Sequence, residues 1–158
     1  MNNIFIKTLI FFFIIGLSAC SYKPIFSEQN YGFEIEKIVL SGEKNINRII
    51  NSKLKSIKSV GANEKDKYAL EIQSKKIREI VSNDSKGDPL KFKMVIFIEY
   101  QVSKNGKLLL NNKIEKNNVY NNDSDKFELE QTEDIILEKL TGSISDTLIS
   151  SIINLNDN

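Results

Sequence analysis

The succession of hydrophobic periods along this 158-residue chain predicts an α+β two-layer sandwich in the order β-α-β-β-β-α. Two helices are expected on one face of a four-stranded sheet. Three observations carry the prediction. Apolar residues recur at helical spacing from Ile46 to Ile57 and again from Ile136 to Ile153. Leu90, Phe92, Met94, Ile96, Ile98, Tyr100 and Val102 alternate with polar-rich positions without a miss, and turn-forming stretches separate the remaining alternating segments. The first strand-helix-strand unit should be a right-handed crossover. One domain, residues 32–154, accounts for all six elements, and 155–158 read as a frayed end.

The first strand spans Phe33 to Leu40, with Phe33, Ile35 and, by parity, Lys37 on one side. Ile46, Ile49, Ile50, Leu54 and Ile57 then form a helical stripe, Lys53, Lys55 and Lys58 oppose it, and Gly61 closes the segment. In strand two, Tyr68, Leu70 and Ile72 alternate with Ala69, Glu71 and Gln73, whereas Ile77 and Val81 have the other parity. A bulge at Ser74 to Lys76 would restore the phase. The polar run Ser82 to Pro89 is a turn. Strand three presents its even-numbered residues to the core. For the hairpin after it, a two-residue Asn105-Gly106 turn would set Val102 opposite Leu109 and turn core positions towards Asn111 and Lys113. A three-residue loop, Lys104-Asn105-Gly106, instead sets Val102 opposite Leu108, Tyr100 opposite Leu110 and Ile96 opposite Ile114. The second register is expected, because a slip of one residue moves every core side chain to solvent. Strand four fades at Tyr120, and Asp125 with Glu128 resembles a capping box at the start of the last helix. There Ile136, Leu140, Ile144, Leu148 and Ile152 form one row, flanked by Leu137, Ile149 and Ile153. Gly142 in this helix costs about 1 kcal/mol relative to Ala and suggests close helix packing.

Composition removes most chemistry. The chain has no histidine and one cysteine, so His-based catalytic triads, the common zinc sites and disulfides are excluded. Glu128, Glu130, Glu133 and Asp134 cluster, but acids belong in the first turns of a helix, where they favour the macrodipole and cap free amides. Neither a phosphate-binding glycine loop nor an internal repeat is present. Carboxylate chemistry thus survives in principle, with capping the stronger reading of these acids, and no metal or cofactor is expected.

At the N-terminus, Leu17-Ser18-Ala19-Cys20 resembles a bacterial lipoprotein processing box. Lys7 supplies positive charge and Thr8 to Leu17 an apolar core, too short for a membrane helix, which needs ~20 apolar residues. Residues 1–19 then form a signal peptide, Cys20 is the lipidation site and 20–31 a tether. Lys7 is the one basic residue in 1–19, leaving 21 basic and 21 acidic side chains in 139 residues. Such a neutral chain has no field that recruits nucleic acid. One acyl chain would bind a membrane only marginally, at ~10⁴ M⁻¹. The pattern implies three chains, hence stable anchoring. In the sorting rule of well-studied Gram-negative bacteria, Asp after the cysteine retains a lipoprotein in the inner membrane; Ser21 stands here, which implies the periplasmic side of the outer membrane.

The start Cys20-Ser21-Tyr22-Lys23-Pro24-Ile25-Phe26, the element order and the Asn118-Val119-Tyr120 entry to a loop ending at Asp125 together resemble the LPS-assembly lipoprotein family, LptE, especially its alphaproteobacterial members. The resemblance spans nearly all of the mature chain. It implies a protein that is not an enzyme but a plug and assembly partner inside a large outer-membrane β-barrel, LptD, in lipopolysaccharide transport to the outer leaflet. Direct binding of lipopolysaccharide would need cations aimed at phosphates. Lys75, Lys76 and Arg78, with Lys91 and Lys93 across the turn, are the candidates; the same cations also fit a solvated edge that deters aggregation. Val95, Phe97 and Leu109 are expected on the sheet face that the helices leave open, as a partner surface or as scattered surface apolarity. From another functional class, the competing reading is a stand-alone periplasmic lipoprotein that binds a soluble ligand or inhibits an enzyme.

Overall fold

Alternation in four segments and two apolar helical stripes give six elements, described by a computed structural model over residues 33–57 and 66–156. The expected signal peptide, Cys20, the tether, Lys58 and Gly61 lie outside the described residues. The elements are β1 (Phe33–Gly42), α1 (Lys44–Lys55), β2 (Asp66–Asn83), β3 (Pro89–Lys104), β4 (Lys107–Asn121) and α2 (Lys126–Asn156). The expected order holds. The sheet runs β1-β2-β3-β4, with β1 parallel to β2 and the other pairs antiparallel. A parallel first pair follows from the helical crossover between its strands.

Both helices lie on the even-numbered face of β2 and β3. Ile46, Ile50 and Leu54 of α1, and Leu137, Ile144, Leu148 and Ile152 of α2, are buried with Tyr68, Leu70, Ile72, Met94, Ile96, Ile98, Tyr100 and Val102. Each fully buried side chain of this size contributes about 1.5–3 kcal/mol of transfer free energy. Ile136 and Leu140, the first residues of the expected α2 row, are only partly buried, and Leu137 and Thr141 take the covered positions beside them. Lys53 fastens α1 to α2: its Nζ lies 2.6 Å from Asp146 Oδ1 and donates to Gly142 O at 3.2 Å. A Cβ at Gly142 would meet only this Nζ, at 4.0 Å, so the glycine marks where the lysine crosses rather than a close backbone contact.

Three local expectations are corrected, and each correction concerns how a strand keeps its core face. In β1 the register shifts between Ile35 and Lys37, so Ile38 and Leu40 pack against the core and Lys37 is exposed. No bulge falls at Ser74 to Lys76. β2 pairs without interruption from Ala69 to Ile80 and shifts only around Ser82. Ser74 keeps the even row and is buried as a polar residue, its Oγ donating to Asn47 Oδ1 at 2.7 Å, while Ile77 lies on the open face. In the β3–β4 hairpin the two-residue turn occurs, with Asn105 at φ 51° and Gly106 at φ 76°. Lys104 pairs with Lys107 and Ser103 with Leu108; a bulge at Leu109 then sets Val102 opposite Leu110, Ile98 opposite Ile114 and Ile96 opposite Lys116. The turn prefers Asn-Gly because both central residues need positive φ, and the bulge repairs the parity that the turn alone would break.

Candidate functional site

The five candidate cations come from the half of the β2–β3 hairpin nearest its turn, and the pleat sends them to opposite faces. Lys75, Lys91 and Lys93 lie on the open face, Lys76 and Arg78 on the helix face. They do not form one cluster. Lys93 Nζ lies 2.9 Å from Glu79 Oε2, its cross-strand partner. The turn itself is ordered by Asp84, whose Oδ1 accepts from the N–H groups of Lys86 at 2.8 Å and Asp88 at 2.9 Å.

Arg78 is the most constrained of the five. Its guanidinium lies over the Phe92 ring, 3.7 Å from the centroid, and its Nε donates to Tyr120 Oη at 3.2 Å and stands 2.9 Å from Glu133 Oε1. Tyr120 Oη in turn donates to Glu133 Oε1 at 2.7 Å. Burial, and then the bond to Glu133, pushes the Tyr120 hydroxyl up to about 12. One cation therefore ties β2, β3, β4 and α2 together. Only Nε is engaged in this network, so among the described residues the two amino ends of Arg78, whose side chain is 43% exposed, remain for an anion. From the sequence alone Arg78 is a candidate cation, Glu133 a helix-capping acid, Phe92 a core residue of strand three and Tyr120 the end of strand four; nothing in those roles joins the four. The even parity shared by Arg78, Phe92 and Tyr120 was the available signal.

Around this network the hairpin end is unusually apolar at its surface. Ile80 is 58% exposed and Phe127 65%, and Val81, Leu90 and Val119 are also exposed. Ile80 and Leu90 share the helix face with Arg78, beyond the start of α2. The α2 N-terminus is capped by Asp125 Oδ1, which accepts from Phe127 N–H at 2.9 Å and Glu128 N–H at 3.4 Å. The reciprocal half of the expected capping box is absent, because Asp123 Oδ1 accepts from Asp125 N–H instead, at 2.9 Å. Among the described residues no group of three acids could hold a metal ion.

On the open face, Ile77, Phe97 and the neighbouring Gln73, Lys75 and Glu99 line a shallow cleft of about 270 Å³. Val95 pairs with Ile77 and Asn117 and is 3% exposed, yet it lies outside the main core. Leu109 does not join them. It is the bulge residue, 39% exposed, and the β4 partners of Phe97 and Val95 are Glu115 and Asn117, ~20 Å or more farther along the strand.

No family model and no curated protein matches the chain. Solved structures do. The fold is similar to the crystal structure of rare lipoprotein B from Shewanella oneidensis, with TM-score 0.55 and 22% identity, over 75% of this chain and 98% of that one. It is similar to the solution structure of uncharacterized lipoprotein B from Nitrosomonas europaea, with TM-score 0.56 and 12% identity, over 80% and 88%. A minor lipoprotein from Acinetobacter baumannii gives TM-score 0.51 and 15% identity, over 75% and 94%. The domain thus has a fold found in bacterial lipoproteins, and nearly the whole of those chains is matched by it.

Proposed function

We propose that this protein is a lipid-anchored lipoprotein of the LptE type, placed on the periplasmic side of the outer membrane as plug and assembly partner of a large LptD-like β-barrel that delivers lipopolysaccharide to the outer leaflet. The observation that supports this most is the coincidence of a lipoprotein box at Cys20 with a domain whose fold recurs, almost end to end, in bacterial lipoproteins. The sequence has no histidine and no thiol pair, and among the described residues no metal cluster competes with a binding role.

The geometry gives the proposal an orientation. β1 enters the sheet at Phe33, opposite Asp66, and the β2–β3 turn closes at the other end of an 18-residue strand, ~55 Å away. An anchor at Cys20 would join the domain at its Phe33 end, and Arg78, Ile80, Leu90 and Phe127 lie towards the opposite end. There a guanidinium beside apolar surface suits an amphiphile that carries phosphates and acyl chains. The cleft between Ile77 and Phe97 offers a flatter apolar contact for a barrel wall. The test is depletion of the protein with lipopolysaccharide measured at the cell surface. Loss of surface lipopolysaccharide, with the molecule held back inside the cell, is expected. A wild-type surface after depletion would overturn the proposal and leave the stand-alone lipoprotein.

A further inference from the structure

Among the described residues β4 is an edge strand, hydrogen-bonded to β3 alone, and from Leu110 to Asn121 its register is unbroken. Its free side can be identified. Even-numbered Asn122 turns its N–H inward to Leu90 O at 2.8 Å, whereas the N–H of Lys113 is taken by the side chain of Asn112, at 2.8 Å. Backbone groups alternate sides along a strand, so Asn111, Lys113, Glu115 and Asn117 offer donors and acceptors to the open edge. The opposite edge, β1, has 10 residues and a register shift after Ile35.

Lysines on an edge ordinarily deter pairing. The stretch from Leu110 to Asn118 (LNNKIEKNN) is, however, self-complementary about Ile114. A two-fold axis normal to the sheet keeps every side chain on its own face, so residues paired across it must share parity. With the axis at Ile114, Lys113 meets Glu115 of a second copy twice on the open face, and Asn111 meets Asn117. On the helix face Ile114 meets its own counterpart and Asn112 meets Lys116. With the axis at Lys113 or Lys116 a lysine opposes itself, at Glu115 a glutamate does, and at Asn112 the pairing runs into the bulge at Leu109.

We infer that β4 is a homotypic docking edge: two copies join antiparallel about Ile114, and their sheets become one of eight strands. Lys113 N–H then exchanges the Asn112 side chain for the backbone of Glu115 in the second copy. Lys113 and Glu115 are both exposed and form no ion pair within the described residues. Of the registers that avoid the bulge, only the one centred on Ile114 sets a lysine opposite a glutamate. This inference concerns the free lipoprotein and stands apart from the barrel partnership.

The test uses the full chain in detergent, with its mass followed by light scattering against concentration. The native chain should form a dimer. Lys113→Glu should weaken it roughly tenfold, by replacing two attractive cross-strand pairs with two repulsive ones. Lys113→Glu with Glu115→Lys should restore it. Both variants carry the same altered contact with Glu99, so a folding cost would be common to them. In parallel, Ile114→Cys should cross-link to itself, because a non-hydrogen-bonded pair brings its Cα atoms to ~4.5 Å, within disulfide reach. Lys116→Cys, on the same face but ~13 Å from its own counterpart, should not. A monomer at every concentration, a dimer indifferent to Lys113→Glu, failure of the double variant to restore it, or equal cross-linking at both positions would overturn the inference.

Discussion

Arg78 shows how much one side chain on a long hairpin can hold. Its guanidinium covers Phe92 and closes a loop of contacts with Tyr120 and Glu133, so its removal leaves a phenol and a carboxylate facing each other without a cation. Because the group is partly exposed, Arg78→Ala should cost about 1–2 kcal/mol in denaturant unfolding rather than the larger penalty of a buried pair. The Tyr120 hydroxyl, held up to about 12, gives the same network a pH signature. Its proton is bound more tightly in the folded chain than in the unfolded chain, where it leaves near 10. The corresponding stability is therefore complete below pH 10 and is lost as pH rises towards 12. Unfolding measured from pH 9 to 12 should show a steeper loss in the native chain than in Tyr120→Phe. Equal slopes would mean that burial and the bond to Glu133 do not raise the hydroxyl above its ordinary range. Gly42 belongs to this scale too: at φ 91°, with Ser74 O only 1.9 Å from where a Cβ would stand, Gly42→Ala should destabilise by at least about 1–3 kcal/mol.

At the scale of elements, the hairpin between β3 and β4 supplies the sharpest test. Deleting Leu109 removes the bulge residue and leaves Val102 opposite Leu110 across the same two-residue turn. Deleting Asn112, inside the regular ladder, inverts the faces of one side of β4. The first deletion should keep the helix-and-sheet circular dichroism, with Tm lowered by only a few degrees; the second should abolish cooperative melting. These consequences also show what was legible in the sequence. The period of each segment was sufficient for six elements and their order, because burial on one face imposes it directly. The even core face of β3 was legible for the same reason, and it correctly required even-numbered residues of β4 opposite it. How that parity is kept was not legible. A three-residue loop and a two-residue turn with a bulge satisfy the same hydrophobic pattern, and only the backbone of Asn105 and Gly106, both at positive φ, decides between them. β1 repeats the lesson, since one register shift exchanges Lys37 for Ile38. Of the candidate cations, sequence proximity gathered five at one end of a hairpin, but the pleat divided them, and the partners of Arg78 came from elements up to 55 residues away.

For the whole molecule, the two ends and two faces are differentiated. Chain entry lies at the end where Lys104 bridges to Asp66, 2.6 Å apart, and exposed apolar side chains gather with Arg78 at the other. The helices seal one sheet face and leave Phe97 in a cleft on the other. Phe97 is half-buried there and stands opposite Glu115, so Phe97→Glu should cost about 1 kcal/mol or more in stability without abolishing cooperative folding, and weaken a partner contact, because it places a charge in an apolar interface. The proposed function has this domain work bound to an outer-membrane barrel. It is tested most directly by pulling down the tagged, lipidated chain from mildly solubilised outer membranes and identifying stoichiometric partners by mass. One large β-barrel protein in equal amount is expected, diminished with Phe97→Glu; recovery of the chain with no barrel would overturn the proposed partnership.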